Sequence, residues 1–171
     1  MKKRGQIWIE VVIYTLIALS LIGAVLAFIT PKIGEIQDKA IIEQSITMMQ
    51  NIDTVISSVA IGGPGNKRII DLGIKKGALT IDAQKDEFVF EMESEYEYSQ
   101  LGEEINIGDI IALTEEIGSL NKITLKMNYS EYDLTYNGKN ETKLITKAST
   151  PYKLSIENKG GTKTIIEIIV S

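Results

Sequence analysis

The sequence predicts an α+β protein: a long N-terminal α-helix, hydrophobic and then amphipathic, followed by a C-terminal antiparallel β domain forming a small sheet or sandwich. Three observations carry that prediction. An uncharged apolar run fills Val11–Ile29, apolar residues then recur at helical spacing as far as Val59, and beyond Lys67 the apolar period falls to two with turn residues between the runs.

The first element is the apolar run, VVIYTLIALSLIGAVLAFI. As a helix rising 1.5 Å per residue it spans about 28 Å, enough to cross the hydrocarbon of a bilayer. Lys2, Lys3 and Arg4 stand before it, and a basic cluster on a short N-terminal flank keeps that end in the cytoplasm and sends the remainder outside. Ser20, Gly23, Ala24 and Ala27 follow i, i+3, i+4, i+7 spacing, which lays small side chains along one helix face and lets another helix approach closely.

Pro31 and Gly34 then interrupt the pattern, and a kink or short melted turn is expected there, because proline removes one helical hydrogen bond and clashes with the preceding turn. Past it, Ile41, Met48, Ile52, Val55, Ile56 and Val59 share one face, and Lys39, Glu43, Thr47, Gln50 and Thr54 the other. Ile42, Ile46 and Met49 widen the apolar side beyond the ~100° that a single packing face needs. Either two partners or one broad core contact would satisfy it. Gly62, Gly63, Pro64 and Gly65 end the helix, so residues 62–66 read as a linker. Lys67 and Arg68 follow the glycines without the spacing of a phosphate-binding loop.

Residues 67–171 read as the β-rich head. Alternation is clearest at Phe88, Phe90 and Met92 with Tyr96 and Tyr98; at Ile123, Leu125, Met127 and Tyr129; at Tyr152, Leu154 and Ile156; and over Thr164–Val170. Asn137-Gly138 and Lys159-Gly160-Gly161 mark turns, the second joining the last two strands as a hairpin. A single helical turn is expected somewhere within Glu103–Glu116. Glu91, Glu93, Glu95 and Glu97 alternate, which predicts four carboxylates on one strand face, either solvated or open to a cation. Alternate strand residues stand about 7 Å apart and diverge, so no metal site is assigned to them.

Composition narrows the chemistry. The 171 residues include no Cys and no His, which removes disulfides, thiolate and imidazole metal sites and the common nucleophile and base pairs. No catalytic residue and no cofactor is expected, and the chain does not read as an enzyme. A formal net charge of −5 and 6% aromatic residues argue against nucleic acid as a partner, since phosphates demand a basic face and bases demand stacking platforms.

Glu10 lies inside the hydrophobic stretch, where an unpaired carboxylate costs about 2.5–3.5 kcal/mol on insertion scales and calls for a cation. Three processing patterns are open to the residues: removal of a secretory signal after Val25-Leu26-Ala27, an uncleaved anchor, or a cut after Gly5. The last would leave Gln6 with a charged α-amino group one helical turn from Glu10 or on a neighbouring copy.

The run Lys3-Arg4-Gly5-Gln6-Ile7-Trp8-Ile9-Glu10 with the apolar stretch behind it resembles the class III signal of type IV pilins, the archaeal kind in particular. That resemblance implies a leader of residues 1–5 removed by a prepilin peptidase, with Lys3, Arg4, Gly5 and Gln6 forming the cleavage region. It implies that residues 6–61 make the membrane and filament-core helix, and that Glu10 guides subunits into register. Gln6 departs from the N-methylated Phe of bacterial pilins, and Glu10 departs from archaeal flagellins. The resemblance therefore implies an adhesion-type or minor pilin in a surface filament, held in the cell membrane before assembly. Its implied partners are copies of itself or related subunits, a prepilin peptidase, an assembly ATPase, a membrane platform protein and, before assembly, lipid. Asn128-Tyr129-Ser130 and Asn140-Glu141-Thr142 are N-glycosylation sequons that suit such an exterior. The rival reading is a single-pass anchored extracellular binding protein whose β domain recognises a ligand.

Overall fold

The structure is a computed structural model that describes the backbone of residues 3–171; the side chains of residues 3–6, 30 and 31 are outside that description. Helix α1 spans Lys3–Ile61 and is followed by ten strands: β1 Lys67–Leu72, β2 Ala78–Asp82, β3 Glu87–Ser94, β4 Glu104–Ile107, β5 Ile110–Ile117, β6 Leu120–Asn128, β7 Asp133–Tyr136, β8 Thr142–Thr146, β9 Tyr152–Gly160 and β10 Ile165–Val170. The protein is α+β, as its periodicities predict. It divides into two compact units between Gln37 and Asp38, so the second half of α1 belongs with the strands.

The helix runs unbroken through Pro31 and Gly34, and the melted turn expected there does not occur. Proline withholds one donor from a ladder that the residues on either side continue, which a long helix accommodates. The helix stops where glycine permits. Gly62 N–H donates to the Ser58 carbonyl at 3.0 Å, Gly63 has φ of 78°, and Asn158 Nδ2 caps the last turn from outside, 3.3 Å from the Val59 carbonyl and 3.2 Å from that of Ala60.

The strands form two sheets, one ordered β1-β9-β10-β7 and one ordered β4-β5-β6-β3-β2-β8. Pairing is antiparallel except between β7 and β10, which are parallel. Ile42, Met49, Ile52, Ile56 and Val59 of α1 are buried in one cluster with Leu79, Phe88, Phe90 and Leu125 of the larger sheet and Leu154, Ile156, Ile166 and Ile168 of the smaller. Within the chain, the apolar side of this segment packs as one broad contact. Its opposite side, Lys39, Glu43, Thr47, Gln50 and Thr54, is polar and exposed.

Two expectations within the head need correction. Glu103–Glu116 holds no helical turn; it forms β4 and most of β5, joined through a two-residue Gly108-Asp109 turn in which Gly108 has φ of 62°. The four glutamates do not share a strand. Glu91 and Glu93 lie on β3, which ends at Ser94, and Tyr96 and Tyr98 fall outside it with Glu95 and Glu97. The reason is a local tether: Tyr96 N–H donates to Ser94 Oγ at 2.9 Å, and Glu95 N–H donates to Asp38 Oδ2 at 2.8 Å, pulling the chain from the sheet towards the helix.

Candidate functional site

The candidate site is the apolar part of α1, built by composition alone: a run of Leu, Ile, Val and Ala with no charge between Val11 and Ile29 makes a helix with no polar face. From Ile7 to Ile29 every side chain is exposed within the chain, with Trp8 at 73% and Phe28 at 75%. A soluble domain does not leave such a surface uncovered. Among the described residues this helix alone is long and apolar enough to cross a membrane.

Glu10 lies on this helix, exposed, and no ion pair among the described residues involves it. Met1 and Lys2 lie outside the described residues, as do the side chains of residues 3–6, so of the expected cleavage region Lys3, Arg4, Gly5 and Gln6 only the backbone, at the start of α1, is described. Ser20, Gly23, Ala24 and Ala27 all lie exposed on the helix, and a Cβ added at Gly23 would meet nothing within 4 Å. The stripe is uncovered within one chain. Thr15 Oγ1 donates to the Val11 carbonyl at 2.8 Å, so this hydroxyl is satisfied inside the helix.

The head carries the remaining candidates. Asn128 and Asn140 are both exposed, and Asn128 Oδ1 accepts the Ser130 N–H at 2.8 Å in a tight turn. The sequon residue between them, Tyr129, is buried, edge-on to Phe88 with ring centroids 5.6 Å apart. Its phenol borders a cleft of about 360 Å³ lined also by Asp53, Ser57, Asp109 and Tyr132. Burial, and after it the carboxylates of Asp53 and Asp109, push the phenol well above the usual tyrosine range. Sequence reading passed over this cleft, because Asp53, Asp109 and Tyr129 come together only when α1, the β4–β5 turn and the end of β6 fold on one another.

Glu91 is engaged by Lys122 on the neighbouring β6, and Glu87 by Lys126 at 2.6 Å. Among the described residues no three acidic side chains gather as a metal site would require. The outer face of β3 is a surface of cross-strand ion pairs.

The fold and this segment define a class no finer than an α+β chain with one N-terminal helix fit to span a membrane and a β domain beyond it. No protein-family model, curated protein or solved structure matches it.

Proposed function

We propose that the chain is a subunit, of adhesion or minor type, in an archaeal type IV pilus-like surface filament. The observation that carries this reading is the pairing of a fully uncovered apolar helix with a carboxylate at Glu10 that has no cation among the described residues. In the bilayer, lipid covers the helix; in a filament, other copies cover it, so the chain leaves the membrane only as neighbours replace lipid. Cleavage after Gly5 gives Gln6 a charged amine, and Glu10 takes such an amine from a neighbouring copy as its partner. A prepilin peptidase makes the cut, and an assembly ATPase with its membrane platform drives extraction. What supports this reading is an exposed apolar helix segment, residues 7–29, in a chain whose residues 38–171 form a well-packed head.

The mass of the mature N-terminal peptide, taken from sheared surface material, tests the processing. A start at Gln6 supports the reading, and a start at Met1 or Phe28 overturns it. Glu10→Gln is expected to cut the amount of this protein in sheared filaments at least about tenfold while leaving it in the membrane, the scale of losing one buried charge pair. Normal filaments from Glu10→Gln cells would remove the role given to Glu10. A membrane-anchored binding protein would show neither cleavage nor sensitivity at this position.

A further inference from the structure

The larger sheet ends in two free strand edges of opposite charge. From Glu87 to Asn121 the chain has no Lys or Arg, and this stretch contains β4, the edge strand, and β5 beside it. Glu103, Glu104 and Glu116 are exposed there and no salt bridge among the described residues engages them, while Glu115 stands across from Lys122 of β6. At the other edge is β8, whose Lys143 ammonium stands 5.7 Å from the Tyr136 ring and whose Lys147, just past the strand, is exposed without an acidic partner among the described residues. The edges are separated by β5, β6, β3 and β2, which at about 4.8 Å per strand puts them more than about 20 Å apart.

Each edge also exposes apolar surface: Leu101 at 41% beside the acidic edge and Leu144 at 57% on the basic one. Bare strand edges with exposed apolar residues are ordinarily blunted or covered. Here neither edge is covered, and the charges are such that each repels its own kind and attracts the other.

We propose that the β4 edge of one head docks on the β8 edge of a second copy of this chain, bringing the exposed Glu103 and Glu104 of one copy to the exposed Lys147 of the next. This rests on the filament reading and deepens it. A patch that meets a different patch on the next copy builds an open filament wherever its rotation does not close into a ring, whereas a self-complementary patch closes as a dimer. The like charges within each edge oppose that closed dimer.

The absence of cysteine makes the test clean. Full-length chains carrying Asn106→Cys on β4 and Thr146→Cys on β8, both exposed positions, are co-expressed in the filament-forming cells and treated with a short bismaleimide. The expected result is a cross-linked dimer when both variants are present and monomer with either alone; one chain carrying both substitutions gives a ladder. Lys147→Glu is expected to reduce the protein in the sheared fraction roughly fivefold, and adding Glu103→Lys and Glu104→Lys to the same chain to restore it. Filaments that contain the chain but give no mixed cross-link overturn the edge contact and leave the filament reading standing. Dimers from Thr146→Cys alone would mean a two-fold contact and overturn it as well. A chain that starts at Met1 and never leaves the membrane fraction overturns both.

Discussion

Gly77 shows how much of this head depends on one missing methylene. It sits before β2 with φ of 83°, and a Cβ built on it would lie 2.3 Å from the Glu91 carbonyl oxygen and 2.7 Å from Met92 Cβ. Neither neighbour can retreat, because Glu91 and Met92 are paired into β3 and hold the register with β6. Gly77→Ala is therefore expected to lower stability by more than about 2 kcal/mol, from backbone strain and from the clash, in a urea denaturation. Tyr129 makes a different kind of demand. Its phenol is held neutral in the fold by burial and by the acids near it, whereas an unfolded tyrosine ionises near pH 10. An acid whose folded pKa is raised stabilises the fold below its unfolded pKa, and that contribution drains away as pH rises past it. Tyr129→Phe should therefore flatten the loss of melting temperature above about pH 10 and leave the profile near neutrality unchanged in slope.

Within α1, helical character is uniform but energetic roles are not. Ile52 is 1% exposed and Leu19 is 60% exposed, yet the two residues differ little in hydrophobicity. Ile52→Ala opens a cavity in the core and is expected to cost the head about 2–5 kcal/mol, whereas Leu19→Ala should leave the unfolding of residues 38–171 unchanged. Hydrogen exchange of the amides of β9 and β10 measures both. This contrast was legible in the sequence, since Ile42, Met49, Ile52, Ile56 and Val59 repeat at helical spacing and face polar residues, whereas Val11–Ile29 has no polar side. Strands β3, β6 and β9 were legible because their alternation is clean, and β10 because the Lys159-Gly160-Gly161 turn marks a hairpin before it. Strands β4 and β5 were not: Ile110 to Leu113 is apolar on both faces, Ile110 and Ala112 inward and Ile111 and Leu113 half-buried outward, so period two is erased. The signal that would have found them was in the turns. Gly108-Asp109 and Gly118-Ser119 each link strands as two-residue loops, with glycine at φ of 62° and 65°. The end of β3 at Ser94 was invisible for another reason, because the bond from Glu95 N–H to Asp38 spans residues far apart in the chain. The apolar helix and Glu10 are properties of composition and were fully readable; the Tyr129 cleft depends on tertiary contact and was not.

At the scale of the whole molecule, the smaller sheet joins the β9–β10 hairpin to two strands from earlier in the chain. β1 pairs along β9, with Lys67 opposite Glu157, and β7 runs parallel to β10, with Leu134 beside Ile166. Since β10 lies between β9 and β7, removing residues 165–171 takes the centre out of that sheet and the buried Ile166 and Ile168 out of the core. The truncated chain is expected to lose protease resistance throughout residues 38–164, because a core shared by one helix and two sheets gives way as a unit.

That placement of β10 also sets a timetable. The helix residues that fill the core, Ile42 to Val59, emerge long before their partners Ile166 and Ile168, and pairings so distant in sequence are slow to form. The head therefore stays open until β10 is in place. During that interval the amphipathic half of α1 is a sticky, unguarded segment, open to the off-pathway contacts that trap slowly closing domains.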